Sequence, residues 1–159
     1  MKAAVLTISD GAAAGTRTDE SGELLATLLQ ADGYDVERHT VADDLDEIAR
    51  VLVALAADAS LVLTTGGTGV APRDVTPEAT ASVIERLAPG ISEAIRADSI
   101  AKTPHGLLSR GVAGVRGTTL VVNLPGSTGG CRDGYAVLRP ALDHALHLLS
   151  DETTEHVQT

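Results

Sequence analysis

Residues 61–80, with the sequence LVLTTGGTGVAPRDVTPEAT, constrain the fold more than any other part of the chain. They begin with a short apolar run at 61–63, which is typical of a strand buried inside a parallel sheet. The glycine-rich segment 66–69 follows, where the chain can turn sharply and present backbone N–H groups. Residues 76–78 have the pattern of a helix start, with a hydroxyl N-cap, a proline at the first helical position and an acid. Strand, glycine loop and helix start in this order predict a site for phosphate or another anion.

The rest of the N-terminal half alternates strand-like with helix-like segments. Residues 3–8 predict a buried first strand, and residues 34–41 alternate weakly as a second strand. Apolar side chains at helical spacing lie after each strand; they are Leu24, Leu25, Leu28 and Leu29, then Leu45, Ile48, Leu52 and Leu55. Asp19 or Ser21 is expected to cap the first of these helices. The order strand, helix, strand, helix, strand predicts an α/β protein with parallel strands and helices on both faces of the sheet.

The C-terminal half has weaker signals. We expect the helix that begins at Thr76 to reach residue 87 and to end at Pro89 and Gly90. A helix from residue 91 to about 102 and a single turn at 107–110 are predicted next. Residues 112–115 and 118–124 are expected to form a hairpin. A second glycine loop at 125–130 then leads to a final helix that is broken or kinked near Pro140. Residues 1–150 are predicted to form one domain, and residues 151–159 a polar tail.

Composition excludes several classes of function. The formal charge is −10, which rules out binding of nucleic acid by bulk electrostatics. The two tyrosines are the only aromatic residues, so base stacking is also poorly supported. The single cysteine, Cys131, excludes an internal disulfide and a multi-cysteine metal site. Without a signal peptide or a long apolar segment, we expect a cytoplasmic protein that does not contact the membrane.

Three loops, at residues 9–15, 66–74 and 123–130, are predicted to meet at the carboxyl ends of the strands. Asp43, just after the second strand, should lie on the same edge of the sheet. That edge is where open α/β sheets bind ligands. Asp43 and Asp74 could hold a Mg²⁺ ion that bridges substrate phosphates. Simpler roles remain open, because Asp74 could pair with Arg73 at a helix N-terminus and Asp43 could be an N-cap.

Nucleophilic catalysis is not expected. His144 and His147 fall on the last predicted helix and His156 in the tail, where surface or packing roles are favoured. His105 lies in a loop after a proline, and its role stays open. Cys131 follows a glycine loop, where a helix N-terminus could lower its pKa, but a small buried residue is the favoured interpretation.

Several motifs resemble the MoaB/Mog family of molybdenum-cofactor biosynthesis proteins. The long match TTGGTGVAPRDVTPEAT at 64–80 is accompanied by shorter ones, which are TISD at 7–10, VADD at 41–44, LSR at 108–110, GVRG at 114–117 and NLPGS at 123–127. The resemblance implies a three-layer α/β/α fold with a mostly parallel sheet and a homotrimer. It also implies adenylyltransferase activity, in which the terminal phosphate of molybdopterin attacks the α-phosphate of ATP with the help of Mg²⁺.

The resemblance assigns catalytic and metal-binding roles to Asp43 and Asp74. The candidate substrate-binding residues from the three loops are Ser9, Asp10, Gly66, Gly67, Thr68, Gly69, Arg73, Gly126 and Ser127. The chain departs from the family in having Thr128 where a proline is usual and Ala42 where some members have one. The effect of Thr128 on the second loop stays open.

Two other functions compete with the enzyme. One is a family member that binds molybdopterin without adenylating it, and the other is a flavodoxin-like module that binds a small ligand. The presence of both Asp43 and Asp74 favours the enzyme, since a binding module needs no pair of carboxylates beside its glycine loops.

Overall fold

A six-stranded sheet forms the centre of the computed structural model, which describes residues 1–150 of the chain. The strands are β1 (Lys2–Ile8), β2 (Asp35–Val41), β3 (Leu61–Thr65), β4 (Arg86–Leu87), β5 (Ala113–Arg116) and β6 (Thr119–Leu124), in the spatial order β2-β1-β3-β6-β5-β4. The first four strands in that order run parallel, and β5 and β4 run antiparallel to their neighbours. The predicted mostly parallel sheet is confirmed.

Helices cover both faces of the sheet. They are α1 (Asp10–Ala13), α2 (Glu20–Ala31), α3 (Leu45–Ala56), α4 (Thr76–Val83), α5 (Pro89–Lys102) and α6 (Thr128–Ser150), with a 3₁₀ helix at Pro104–Leu108. Successive side chains of a strand point to opposite faces, so Ala3 and Val5 pack in one core with α2, α5 and α6. Ala4 and Leu6 pack in a second core with α3 and α4. The predicted α/β/α architecture is therefore confirmed.

The parallel strands end at the same level. Ile8 pairs with Val41, Thr7 with Thr65, and Thr65 with Leu124. The loops that follow β1, β2, β3 and β6 consequently leave the sheet at one edge, as predicted.

Helix α4 is shorter than predicted. It ends at Val83, and Arg86–Leu87 forms strand β4 instead of its last turn. The backbone N–H of Glu85 donates to Val115 at 2.8 Å, and that of Ala88 donates to Ala113 at 2.9 Å. Pairing with β5 thus replaces helical hydrogen bonds, and Pro89, expected to end a helix, begins α5.

Two other local predictions were wrong. Val75, not Thr76, precedes α4 as its N-cap residue, and the Thr76 hydroxyl donates to the Gly66 carbonyl at 2.9 Å. Gly129 and Gly130 belong to the first turn of α6 and not to a loop. Helix α6 continues through Pro140 to Ser150, so the predicted break is absent there, and the predicted kink stays a prediction. The predicted tail, residues 151–159, lies outside the described residues.

No helix in residues 1–150 is long and apolar enough to span a membrane.

Candidate functional site

A cleft of about 720 Å³ opens at the edge where the parallel strands end. Its walls come from the end of β1, the loops after β2, β3 and β6, and the start of α2. Its volume is within the range of small-molecule sites, and its position is where open α/β sheets bind ligands.

The turn after β3 forms the floor of this cleft and requires glycine. Gly66 has φ +101° and Gly67 has φ +66°, in the left-handed region that favours glycine. A Cβ atom on Gly66 would overlap the carbonyl oxygen of Ile8, and one on Gly67 would overlap the Thr76 hydroxyl. The second loop packs closely on this turn, since a Cβ on Gly126 would lie 3.3 Å from the Gly66 Cα.

Asp43 faces the cleft and is not the N-cap of α3. That role belongs to Asp44, whose carboxylate accepts the Glu47 N–H at 2.8 Å. The Asp43 carboxylate accepts the Asp10 N–H at 3.0 Å, and the Asp10 carboxylate accepts the Asp43 N–H at 3.0 Å. This reciprocal pair ties the loop after β1 to the loop after β2.

The environment of Asp43 disfavours the ionised form of its carboxyl, mainly through burial. Burial of its carboxyl raises its pKa, and the negative charges of Asp10 and Asp74 raise it further, against the opposing effects of the Asp10 N–H and Arg73. A bound cation would relieve this excess of negative charge.

Asp74 lines the same cleft and is not paired with Arg73. Its carboxylate accepts the Ala71 N–H at 3.0 Å. Arg73 instead binds both oxygens of Asp10, at 2.7 and 2.9 Å, which lowers the pKa of Asp10. The salt bridge between neighbours that the sequence suggested is therefore wrong.

The structure divides the predicted substrate-binding residues into three groups. Five of them line the cleft with Asp43 and Asp74: Ser9, Gly66, Gly67, Gly126 and Ser127. Thr68 and Gly69 line a second cleft of about 360 Å³, which shares Ser127 with the first. Asp10 and Arg73 line neither cleft and are paired with each other.

Several residues that line the cleft were not among the predicted site residues. They include Arg17, Thr18 and Asp19 between α1 and α2, Glu20 and Ser21 at the start of α2, and Thr65 at the end of β3. Asp19 caps α2 by accepting the Gly22 N–H at 3.0 Å, as one of the two predicted alternatives. Of the described residues that line the cleft, Arg17 is the only cation, so carboxylates outnumber cations there.

These residues fit a Mg²⁺ ion that is completed by a substrate. Within residues 1–150, no three or more His, Cys, Asp or Glu side chains are grouped so that they could hold a metal. Mg²⁺ is commonly held by one or two carboxylates together with substrate phosphates and water. Asp43 and Asp74 supply two such carboxylates in a cleft lined by a single cation, and the raised pKa of Asp43 shows that its negative charge is poorly compensated there.

The raised pKa of Asp43 predicts a pH-dependent cost to stability. Because the folded protein holds the Asp43 proton more tightly than the unfolded chain, stability is lost as pH rises through the folded-state pKa. Asp43→Asn is therefore expected to be more stable than wild type at neutral pH and equally stable in acid. Urea unfolding of both proteins across that range measures the difference, and a constant difference would contradict it.

Cys131 is a buried core residue, as favoured from the sequence. Its Sγ lies 3.2 Å from the Thr65 hydroxyl and 3.1 Å from the Pro125 carbonyl oxygen. Burial raises the pKa of the thiol to about 11, so a reactive thiolate is not formed at neutral pH.

His105 is exposed in the 3₁₀ helix and lines the second cleft, and His144 lies on α6 as predicted.

Fold and site together define an α/β protein with a polar cleft at the edge of a parallel sheet. Residues 4–144 match the family model described as a probable molybdopterin binding domain. The chain belongs to this molybdenum-cofactor biosynthesis family, which confirms the resemblance found in the sequence.

Individual relatives support the same assignment. The molybdopterin adenylyltransferase of Helicobacter pylori strain J99 is 36% identical over 91% of this chain and 85% of its own length. The solved structure of the molybdopterin biosynthesis Mog protein from Mycobacterium ulcerans is 43% identical, with a TM-score of 0.89 over 94% of this chain and 99% of that one.

Other relatives are much longer than this chain. The molybdenum cofactor synthesis protein cinnamon of Drosophila melanogaster is 39% identical over 94% of this chain, which spans 26% of that protein. This chain spans 49% and 22% of the length of two more curated relatives.

Proposed function

We propose that this protein adenylates molybdopterin with ATP in the presence of Mg²⁺. The observation that carries the proposal is that Asp43 and Asp74 line one cleft together with the Gly66–Gly67 turn. Relatives of similar length are named molybdopterin adenylyltransferase, which supports this activity over others in the family. We also infer, from the family resemblance, a homotrimer that works in the cytoplasm.

The reaction transfers an adenylyl group between phosphates. An oxygen of the molybdopterin phosphate forms a bond to the α-phosphorus of ATP, and the bond from that phosphorus to pyrophosphate breaks. A bound Mg²⁺ would neutralise the phosphate charge. Such chemistry depends mainly on positioning and on charge neutralisation, and it needs no protein nucleophile.

The residues of the cleft have separable roles in this proposal. Asp43 and Asp74 would hold the cation, and the backbone N–H of Gly67 would face the phosphates, since that of Gly66 donates to the Leu124 carbonyl at 3.3 Å. Arg17, with a side chain at the cleft, would add a positive charge for the same phosphates. Ser127 lines both clefts and would lie where the nucleotide and the pterin meet.

The test is an assay with purified protein, molybdopterin, Mg²⁺ and ATP labelled on either the α- or the γ-phosphate. The α-label is expected in adenylated molybdopterin and the γ-label in pyrophosphate. An ATP analogue with a methylene group between the α- and β-phosphates should bind and give no product, and chelation of Mg²⁺ should stop turnover. Tight binding of molybdopterin without any adenylated product would favour the non-catalytic family member instead.

The flavodoxin-like binding module remains the alternative from another class. It predicts neither ATP-dependent product nor any effect of Mg²⁺ on ligand binding, so the same assay separates it from the enzyme.

A further inference from the structure

One arginine outside the cleft, Arg110, holds both ends of the loop that leads to Asp74. Its Nε donates to the Gly69 carbonyl at 2.7 Å, and its Nη2 donates to the Asp74 carbonyl at 2.7 Å. Its backbone N–H donates to the Thr68 carbonyl at 2.8 Å. Residues 68–74 are thus fastened at their beginning and at their end by the same residue.

Other charged groups hold Arg110 itself in place. Its Nη1 forms an ion pair with Glu78 in the first turn of α4, and this pairing lowers the pKa of Glu78. Arg96 on α5 donates to the carbonyls on both sides of Arg110, at 3.0 Å to Ser109 and 3.2 Å to Gly111. The guanidinium is thus held by Glu78 on α4, and the backbone on both sides of Arg110 is held by Arg96 on α5.

The loop has few other attachments to the rest of the described chain. The Asp74 N–H donates to the Ala71 carbonyl at 2.9 Å, and the Ala71 N–H donates to the Asp74 carboxylate at 3.0 Å. These two hydrogen bonds only close the loop on itself. Arg73 reaches outward to Asp10 and more weakly to the Asp43 carbonyl. Without Arg110, the backbone at Gly69 and Asp74 would lose its tie to the far side of the site.

We propose that Arg110 is a positioning residue that sets the carboxylate of Asp74 for metal and substrate binding. It does not line the cleft, so it acts through Asp74 and not by contact with substrate. Two carbonyls held by one planar fork require a guanidinium, because a lysine ammonium is a point charge on a flexible stem. This inference rests on the proposed function.

The test compares Arg110→Lys and Arg110→Ala with a matched control, Arg116→Lys. Arg116 also donates to a backbone carbonyl, that of Val83 at 2.8 Å, but it lines none of the clefts. We expect Arg110→Lys to lower kcat about 10- to 100-fold and to raise the Mg²⁺ concentration for half-activation, with a smaller change in KM for molybdopterin. Added guanidinium should restore part of the activity of Arg110→Ala, and Arg116→Lys should keep wild-type kcat and Mg²⁺ dependence.

A purely structural role would give a different result. If Arg110→Lys lowers the melting temperature but keeps wild-type kcat and Mg²⁺ dependence, the proposal is overturned. If the wild-type protein has no adenylation activity, the proposed function fails separately from this inference. The role of Arg110 is then decided by the binding of Mn²⁺ in the presence of ATP, which is measured through the relaxation of water protons. Weaker Mn²⁺ binding in Arg110→Lys than in Arg116→Lys would support the proposal, and equal binding would overturn it.

Discussion

Asp74→Asn is expected to lower kcat for adenylation by about 100-fold or more while the protein stays folded. The substitution removes one negative charge from a cleft in which Arg17 is the only cation among the described residues, so the proposed Mg²⁺ loses a ligand. The loop should survive, because the Asn side-chain oxygen can still accept the Ala71 N–H that the carboxylate accepts at 3.0 Å. Higher Mg²⁺ concentrations should recover part of the activity.

The matched control for this variant is Asp44→Asn. It makes the same chemical change beside the site, and asparagine caps a helix about as well as aspartate. Initial rates, Mg²⁺ titrations and thermal unfolding should be measured on both. If Asp74→Asn unfolds, Asp74 is structural; if both variants keep wild-type rates, Asp74 has no catalytic role.

Gly66→Ala is expected to destabilise the protein by about 2 to 6 kcal/mol and to abolish substrate binding. A non-glycine residue at φ +101° is strained by about 1–3 kcal/mol. The new methyl group would also overlap the Ile8 carbonyl oxygen, which belongs to the central strand β1 and has little freedom to move. Such overpacking adds about 1–3 kcal/mol and displaces the turn on which the cleft is built.

Gly117→Ala is the control that separates the two contributions. Gly117 also has a positive φ, of +57°, but a Cβ atom there would meet nothing within 4 Å. It should cost about 1–2 kcal/mol from backbone strain alone and leave binding unchanged. Urea unfolding and titration with ATP measure both effects, and equal losses in the two variants would show that the contact with Ile8 is unimportant.

Features that depend on neighbouring residues were predictable. The apolar run of β3 is buried throughout, and the glycines after it adopt positive φ at Gly66 and Gly67. Strand and helix periodicities predicted the parallel sheet and its two covered faces, because burial on both faces requires long apolar runs in the strands. The meeting of several loops at one edge followed from the parallel direction of the strands.

Features that depend on residues far away in the sequence could not be predicted. The end of α4 was misplaced because β5, far along the chain, accepts the backbone N–H groups of Glu85 and Ala88. The sequence left open a pair between Arg73 and the adjacent Asp74, whereas the partner of Arg73 is Asp10. In both cases the local pattern was compatible with either outcome, and a contact formed only in the folded chain decided it.

The sequence by itself determined the class of fold and the position of the glycine turn, since these depend on periodicity and on backbone freedom at single positions. It also indicated the family, through the resemblance of its motifs. Tertiary structure alone decided that Asp43 faces the cleft while Asp44 caps the helix, and that Arg110 fastens the loop of Asp74. The physical reason is that a charged side chain can satisfy its hydrogen bonds in several ways. Which way it takes is settled only when folding brings particular carbonyls and carboxylates within reach.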